Sequence, residues 1–448
     1  MLNILRDASF LFPVRGFPHE VGGMFLIRFY IILMGSFLLM TGLGQAATWH
    51  VDPNGNDTKG TGSAELPWRS IQKALNECGP GDAVLLHPGI YPQRIEWPES
   101  GQPGKPITLM GEEGAVLSGK GMPPGEHVIA ISGRSHVRIT GIEIRDTVTP
   151  KSGCGIYVDG AGDGIEIRNC WLHHLKGKEA GGIGIFGTVA KTALTNIVIE
   201  GCRIEHCEPA RSEALVLNGN VDGFRVVDNQ VSDVNNIGID FIGGEKDVMP
   251  DVTKVARNGV CRGNKVTRAR SSYEDGYAAG IYVDGGRNIV ISGNTITECD
   301  LGIEIGAENA GQVTQGITVE DNVIHNNDKA GIVFGGYDRK RGRVKGCIFR
   351  RNQLRHNTNH REAQAELWIQ EASGNTVEAN WITARPGGKM ALVTPGGTAN
   401  LLQRNMWWSS GPGETVQWTW GAKDGTGFVR WQAASMEAAS VWRDPQEK

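Results

Sequence analysis

Apolar and polar residues alternate along most of this chain in short runs, and the runs repeat. GIYVDG at 155–160 is followed by GIGIFG at 182–187, ALVLNG at 214–219 and GIDFIG at 238–243. The pattern returns as GIYVDG at 280–285, GIEIGA at 302–307, GIVFGG at 331–336, ELWIQE at 366–371 and ALVTPG at 391–396. A period of two marks a strand with one buried face. Between copies lies a second strand type, as in NIVISGNTI at 288–296, GITVEDNVI at 316–324 and NTVEANWIT at 375–383. It carries an asparagine in register at Asn229, Asn264, Asn294, Asn322, Asn352, Asn380 and Asn405, with spacings of 35, 30, 28, 30, 28 and 25 residues. Cys202 and Cys170 continue that column toward the N-terminus.

A unit of about 25–35 residues holding two or three short strands is one coil of a solenoid. Successive coils stack at roughly 4.8 Å, so equal positions in the repeat lie on top of one another. Stacked asparagine amides then bond to each other and to turn backbone. The predicted fold is all-β: a single-stranded right-handed parallel β-helix of about ten coils. No long 3.6-residue period competes with it in the mature chain. A helical patch from Ser70 to Cys78 is expected to cap the N-terminal edge, and a Trp-rich tail to close the other end. The expected organisation is a cap with the first coils over 47–119, repeats over 120–405 and a C-terminal cap over 406–448.

Composition sharpens this picture. Sixty-three glycines fit a chain of many tight turns. Forty-five basic and forty-nine acidic side chains give a formal charge of −4 with no basic run, so the electrostatic footprint of a nucleic-acid binder is missing. Phe29 to Met40 is almost wholly apolar, Arg28 precedes it, and Gly44-Gln45-Ala46 resembles a cleavage site. Residues 1–46 therefore read as a signal peptide, with Met24 an alternative start. The mature chain is expected outside the cytoplasm (secreted, periplasmic or at the cell surface), as a monomer with no membrane span. The eight cysteines show no zinc spacing and read as buried small residues of the stack.

WHVDPNGNDTKGTG at 49–62, PWRSIQKAL at 67–75 and GPGDAVLLHPGIYPQRI at 79–95 together resemble the opening segment of family-nine pectate lyases and β-helical xylosidases. The match covers about 70 residues and implies the pectate-lyase-like architecture. The lyases' calcium cluster, written roughly DDGWD, has no counterpart: at that depth the chain reads Asn236-Ile237-Gly238-Ile239-Asp240-Phe241-Ile242-Gly243. The polygalacturonase motifs are absent too.

Candidate chemistry comes from the outward positions of the GI-x-V-x-G strands, the third and fifth of each copy. Carboxylates and aromatics concentrate there in three consecutive coils: Asp240, then Tyr282 and Asp284, then Glu304. Asp240 and Glu304 are expected two coils apart with Tyr282 between them. A carboxylate pair at such spacing suits a glycoside hydrolase, one group acting as acid and one as base. The same three acids with Glu308 are the expected Ca²⁺ ligands of a lyase on an acidic, uronate-containing polysaccharide. The base would then be Lys246, Arg287, Tyr282 or Tyr277. Tyr157 and Trp368, outward-facing near the two ends of the row, are candidates for stacking on sugar rings, and Lys246, Tyr277 and Arg287 for lining a substrate wall. His173, His174, His356 and His360 read as surface residues. Cleavage of a polysaccharide by elimination is the leading expectation, hydrolysis the second, and non-catalytic glycan binding the third. No organic cofactor is expected.

Overall fold

The computed structural model describes residues 46–444, apart from 124–125, 150–152, 178–179, 210–211, 274–275, 339 and 361. The expected signal peptide lies outside the described residues, except for Ala46. Three sheets, one of sixteen strands and two of thirteen, run the length of a β-solenoid, and their strands are parallel except for the last pair of one sheet, Gln417–Trp420 with Lys423–Thr426. A coil contributes to all three sheets in turn, as Val221–Val227, Gln230–Val234 and Ile237–Ile242 do, and some coils give two short strands to the sixteen-stranded sheet. The solenoid has about 12 turns, against the ten expected. Coils through Ile95–Glu96, Ile129–Ser132 and Gln417–Trp420 belong to the same sheet as the GI-x-V strands but lack that signature.

The alternation does what its period implies. Ile239, Phe241, Ile281, Val283, Ile303 and Ile305 are fully buried in one continuous core, while the residues between them face the other way. The corner before the second strand type is a tight bend. A residue with positive φ precedes each ladder position, among them Asp228 (56°), Gly263 (70°), Gly293 (63°), Asp321 (57°), Arg351 (54°) and Ala379 (53°). Each asparagine amide then donates to the next: Asn294 Nδ2 to Asn322 Oδ1 at 2.9 Å, Asn322 Nδ2 to Asn352 Oδ1 at 2.9 Å, Asn352 Nδ2 to Asn380 Oδ1 at 2.9 Å. Every carboxamide also meets backbone, so a buried polar column is fully satisfied.

A second interior ladder runs five residues further on. Asn327 Oδ1 accepts from the Cys299 N–H at 2.9 Å, Asn327 Nδ2 donates to Asn357 at 2.7 Å, and Asn357 Nδ2 donates to Glu366 at 2.8 Å. Cys207 and Cys299 sit in this column, as small buried residues, and all eight cysteines are free and buried.

Ile71–Glu77 is the helix foreseen near the N-terminus. Ser70 caps it by accepting the Lys73 N–H at 3.2 Å, and Ile71, Ala74 and Leu75 are buried. At the far end Trp407 and Trp431 are fully buried. Glu437 accepts the amide of Asn405 (2.7 Å) and the indole N–H groups of Trp407 (3.0 Å) and Trp431 (2.7 Å), which terminates the main ladder. No helix among the described residues is long and apolar enough to cross a membrane.

Candidate functional site

The thirteen-stranded sheet that holds Ile156–Gly160, Glu213–Gly219, Ile237–Ile242, Ala279–Asp284, Leu301–Gly306, Ala330–Phe334 and Ala365–Ile369 forms the floor of the candidate site. Its register brings the expected residues together. Asp240 pairs with Tyr282 and Tyr282 with Glu304, and the same column continues through Val333 to Trp368. Asp284 lies two residues along from Tyr282.

The expectation that this row faces solvent is corrected. Asp240, Tyr282 and Asp284 are only 1 %, 4 % and 6 % exposed, and only Glu304 keeps partial exposure. They do point away from the main core, but loops fold over them. The Asp284 carboxylate accepts the Glu308 N–H at 2.7 Å, and the Tyr282 hydroxyl donates to Glu308 at 3.3 Å. The loop beyond is tied down through Gln312, whose amide donates to the Val252 carbonyl at 2.7 Å. Under that cover Tyr282, Leu301, Ala330 and Val333 form a second apolar cluster against Ile237 and Trp368. Sequence periodicity reports which face of the sheet a residue takes, not what a loop does above it.

Burial and mutual repulsion outweigh the one opposing cation given for these groups, Arg341 acting on Asp284, and set the electrostatics. Desolvation, reinforced by Glu213 and Asp284, holds the Asp240 carboxyl well above the usual carboxylate range. Desolvation and then Glu308 push Asp284 up to about 7. Glu304 is raised by the same two causes, with Asp284 adding to them, and burial followed by the surrounding acids raises the Tyr282 phenol. Among the described residues no group of three or more His, Cys, Asp or Glu side chains is arranged to hold a metal ion. One Asp284 oxygen already serves the Glu308 backbone. The four acids do not fit a calcium centre as they stand.

The open space lies one to four coils back along the same floor. A cleft of about 540 Å³ is lined by Tyr157, Phe186, Glu213, Val216, Asn218 and Glu245, with His127 at one end. Tyr157 stacks between His127 (centroids 4.0 Å apart) and Phe186 (5.2 Å), giving an aromatic wall. His127 accepts the Cys154 N–H through Nδ1 at 2.9 Å, and burial lowers its pKa to about 4, so the ring is neutral with its proton on Nε2. Glu213 is half-buried at the cleft edge. Desolvation, reinforced by Glu245 and Asp284, pushes its carboxyl up to about 8. Asn218 donates to Glu245 at 2.6 Å, while its own carbonyl oxygen is buried without a partner.

None of Asp240, Tyr282, Asp284 or Glu304 lines this cleft; Tyr157 does. Lys246 is exposed on a loop beside a neighbouring hollow that it shares with Glu245 and Gln312. Arg287 opens a strand of the sixteen-stranded sheet, not the floor. Tyr277 is exposed and its ring lies 6.5 Å from that of Trp368. His173, expected at the surface, is 7 % exposed and bonded to Glu143 and His174.

Glu213, Glu245, His127 and Phe186 went unread in the sequence. Glu213 left a signal: its column is otherwise Cys154, Gly181, Ile237, Ala279, Leu301, Ala330 and Ala365, so one carboxylate stands among small and apolar residues. Glu245 left none, because it lies on a loop.

Comparison with known proteins agrees with this architecture. The family model for the right handed beta helix region matches residues 127–242 and 213–382. The uncharacterized protein YwoF of Bacillus subtilis (strain 168) is 33 % identical over 418 residues, 88 % of this chain and 87 % of that protein. Among solved structures, the GH136 lacto-N-biosidase from Eubacterium ramulus is similar with a TM-score of 0.57 at 12 % identity, over 88 % of this chain and 67 % of that one. PfbA, a surface adhesin of Streptococcus pneumoniae, is similar with a TM-score of 0.56 at 12 % identity, over 80 % of this chain and 90 % of that one. With a family model covering more than half its length and YwoF as a relative, the chain belongs to the right-handed β-helix family.

Proposed function

We propose that this protein is an exported polysaccharide-active enzyme that hydrolyses glycosidic bonds in the cleft of the floor sheet, with Glu213 as general acid. One observation carries the reading: a carboxyl that stays protonated to about pH 8 reaches a cleft that also holds a second carboxyl, Glu245, and an aromatic wall. A general acid must hold its proton at the working pH and release it to a leaving oxygen, and desolvation beside like charge supplies that property. The Glu213 proton passes to the glycosidic oxygen as its bond to the anomeric carbon breaks. A water oxygen adds to that carbon and its proton passes to Glu245. Tyr157 and Phe186 offer faces for a sugar ring, and the unpartnered Asn218 oxygen offers an acceptor for a sugar hydroxyl.

The buried row has a supporting part in this scheme. The negative charge of Asp284, when it is ionised, adds to that of Glu245 in holding the proton on Glu213. Hydrolysis is favoured over elimination because a pair of carboxyls, Glu213 and Glu245, faces the cleft, while the cations Lys246 and Arg287 lie outside it. The resemblance to a lacto-N-biosidase supports an enzyme of sugar chains, and that to a surface adhesin supports adhesion without turnover.

The test is digestion of a panel of polysaccharides, following reducing ends alongside the ultraviolet absorbance of a new C=C bond. Reducing ends should rise without the absorbance. Glu213→Gln should lower kcat by about 10²–10⁴-fold with the fold intact. The activity of the native protein should fall as pH rises through the Glu213 value of about 8, where the acid loses its proton. Full turnover in Glu213→Gln would remove the proposed mechanism. Binding with no turnover on any polymer would leave the adhesin-like reading.

A further inference from the structure

Four coils beyond Glu213 on the same floor sheet, a lysine is buried in an arrangement that the fold does not need. Lys329 immediately precedes the strand Ala330–Phe334 and is 3 % exposed. Among the described residues its Nζ has no hydrogen-bond partner, and it sits 3.8 Å from the centroid of the Tyr277 ring. It lines a hollow of about 360 Å³ whose other ionisable walls are Arg270, Asp300, Asp328, His360 and Glu362. The carboxylates beside it are already engaged. Asp300 accepts the N–H groups of Ser271 (2.8 Å) and Ala278 (3.0 Å), and Asp328 pairs with Arg270 at 3.1 Å. The Lys329 ammonium attracts Asp328 but hydrogen-bonds to neither carboxylate. A buried cation without an acceptor costs several kcal/mol, roughly, and an apolar side chain of the same length would fill the space more cheaply.

We infer that Lys329, under the ring of Tyr277, is a binding subsite for an anionic group on a sugar, a carboxylate or a sulfate ester. An anion entering the hollow would give the ammonium the charge-assisted hydrogen bond it lacks, while Tyr277 and the neighbouring Trp368 present apolar faces for the sugar ring. The distance to the cleft fits one polymer chain. Four coil steps of about 4.8 Å place Lys329 roughly 19 Å along the axis from Glu213. The inference rests on the proposed polysaccharide reading and adds the charge of the substrate to it.

The experiment measures binding in the Glu213→Gln protein, so that it is independent of turnover. Galacturonate oligosaccharides, sulfated galactose oligosaccharides and neutral galactose oligosaccharides of equal length are titrated calorimetrically. One anionic series should bind at least about tenfold tighter than the neutral one, and which of the two does so identifies the anion. Lys329→Met should bring that preference to within about twofold of unity and leave the affinity for the neutral series unchanged, while Lys329→Arg should keep part of the preference. Thermal melting gives the control: Lys329→Met should melt at the same temperature as its parent or higher, because an unpaired buried charge has been removed. Equal binding of charged and neutral series, or a preference that survives Lys329→Met, would overturn the subsite and leave the polysaccharide reading standing. A lower melting temperature with unchanged preference would make Lys329 a packing residue only. Failure of every oligosaccharide to bind would overturn both.

Discussion

At the corner occupied by Asn322 and its neighbours, polar side chains stack at the coil spacing, each one donating to and accepting from the next. On the outer face of the floor sheet, Asp240, Tyr282 and Glu304 stack at the same spacing, also under cover, with far fewer partners. The Asp240 carboxyl accepts the N–H of Phe241 at 2.7 Å; Asp284 accepts one backbone N–H; and the acids raise one another's pKa. The difference lies in the chemistry of the side chain. A carboxamide carries both a donor and an acceptor, so identical groups in a column satisfy each other without limit. A carboxyl has a donor only while protonated, so a column of acids stays folded by keeping its protons. One column is built to hold the stack together. The other is a store of protons next to a cleft.

Breaking a rung of the amide column should have the largest effect. Asn322→Leu leaves the Asn294 N–H and the Asn294 amide without their shared acceptor and the Ile291 carbonyl without its donor. At about 1–3 kcal/mol for each of the three buried groups so orphaned, the loss should be about 3–9 kcal/mol, read as a lower urea midpoint. Glu304→Gln in the acid column should cost little or even stabilise near neutral pH, since it replaces a desolvated acid with a neutral isostere. Equal losses from the two substitutions would erase the distinction between the columns.

The desolvated acids of the molecule, inside that column and outside it, should also make stability depend on pH in a direction opposite to that of ordinary salt-bridged carboxylates. Asp284 (about 7), Glu213 (about 8) and Glu366 (about 8) all have folded values above their unfolded ones, desolvation being the first cause in each. Between about pH 4 and 8 the folded chain therefore binds more protons than the unfolded chain, and unfolding free energy falls as pH rises. The contribution is complete below about pH 4 and is lost as pH passes through 7 to 8. The expected drop between pH 5 and pH 9 is on the order of a few kcal/mol, read by urea unfolding, and Glu366→Gln should flatten part of it. A profile that rises over this range would show the acids to be ionised and paired.

These columns were not equally legible in the sequence. The amide ladder was readable because one residue type recurs once per coil, and stacking alone then gives its partners. The register of Asp240, Tyr282 and Glu304 was readable for the same reason: the strands repeat, so equal positions must align. The cover over them was not, because it comes from loops whose lengths follow no period, such as the one carrying Glu308 and Gln312 over the row. Glu366 and Glu437 were missed as ladder terminators. Each replaces the residue type that defines the column and is found only by asking what accepts the last amide. Glu213 escaped the pattern because the outward positions of each copy are the third and fifth, whereas it precedes the first.

The smallest expected effect isolates the backbone of the ladder corner from its side chains. Gly293 and Ala379 hold the same place, one residue before Asn294 and Asn380, with φ of 63° and 53°. A Cβ built on Gly293 meets nothing within 4 Å, so Gly293→Ala tests conformation and not crowding. It should destabilise by about 1 kcal/mol, the cost of holding an L-residue in the left-handed region less the entropy gained in the unfolded chain. Ala379→Gly reverses the exchange and should gain a few tenths of a kcal/mol to about 1 kcal/mol, since Ala379 is exposed and its methyl group packs against little. Both are read from urea midpoints at constant slope. If the two changes are equal and opposite, the bend contributes one fixed cost per coil and the amides carry the rest. If Gly293→Ala costs several times more than Ala379→Gly returns, the bend and the amide behind it are coupled, and the rung at Asn294 is being pulled out of line with Asn322.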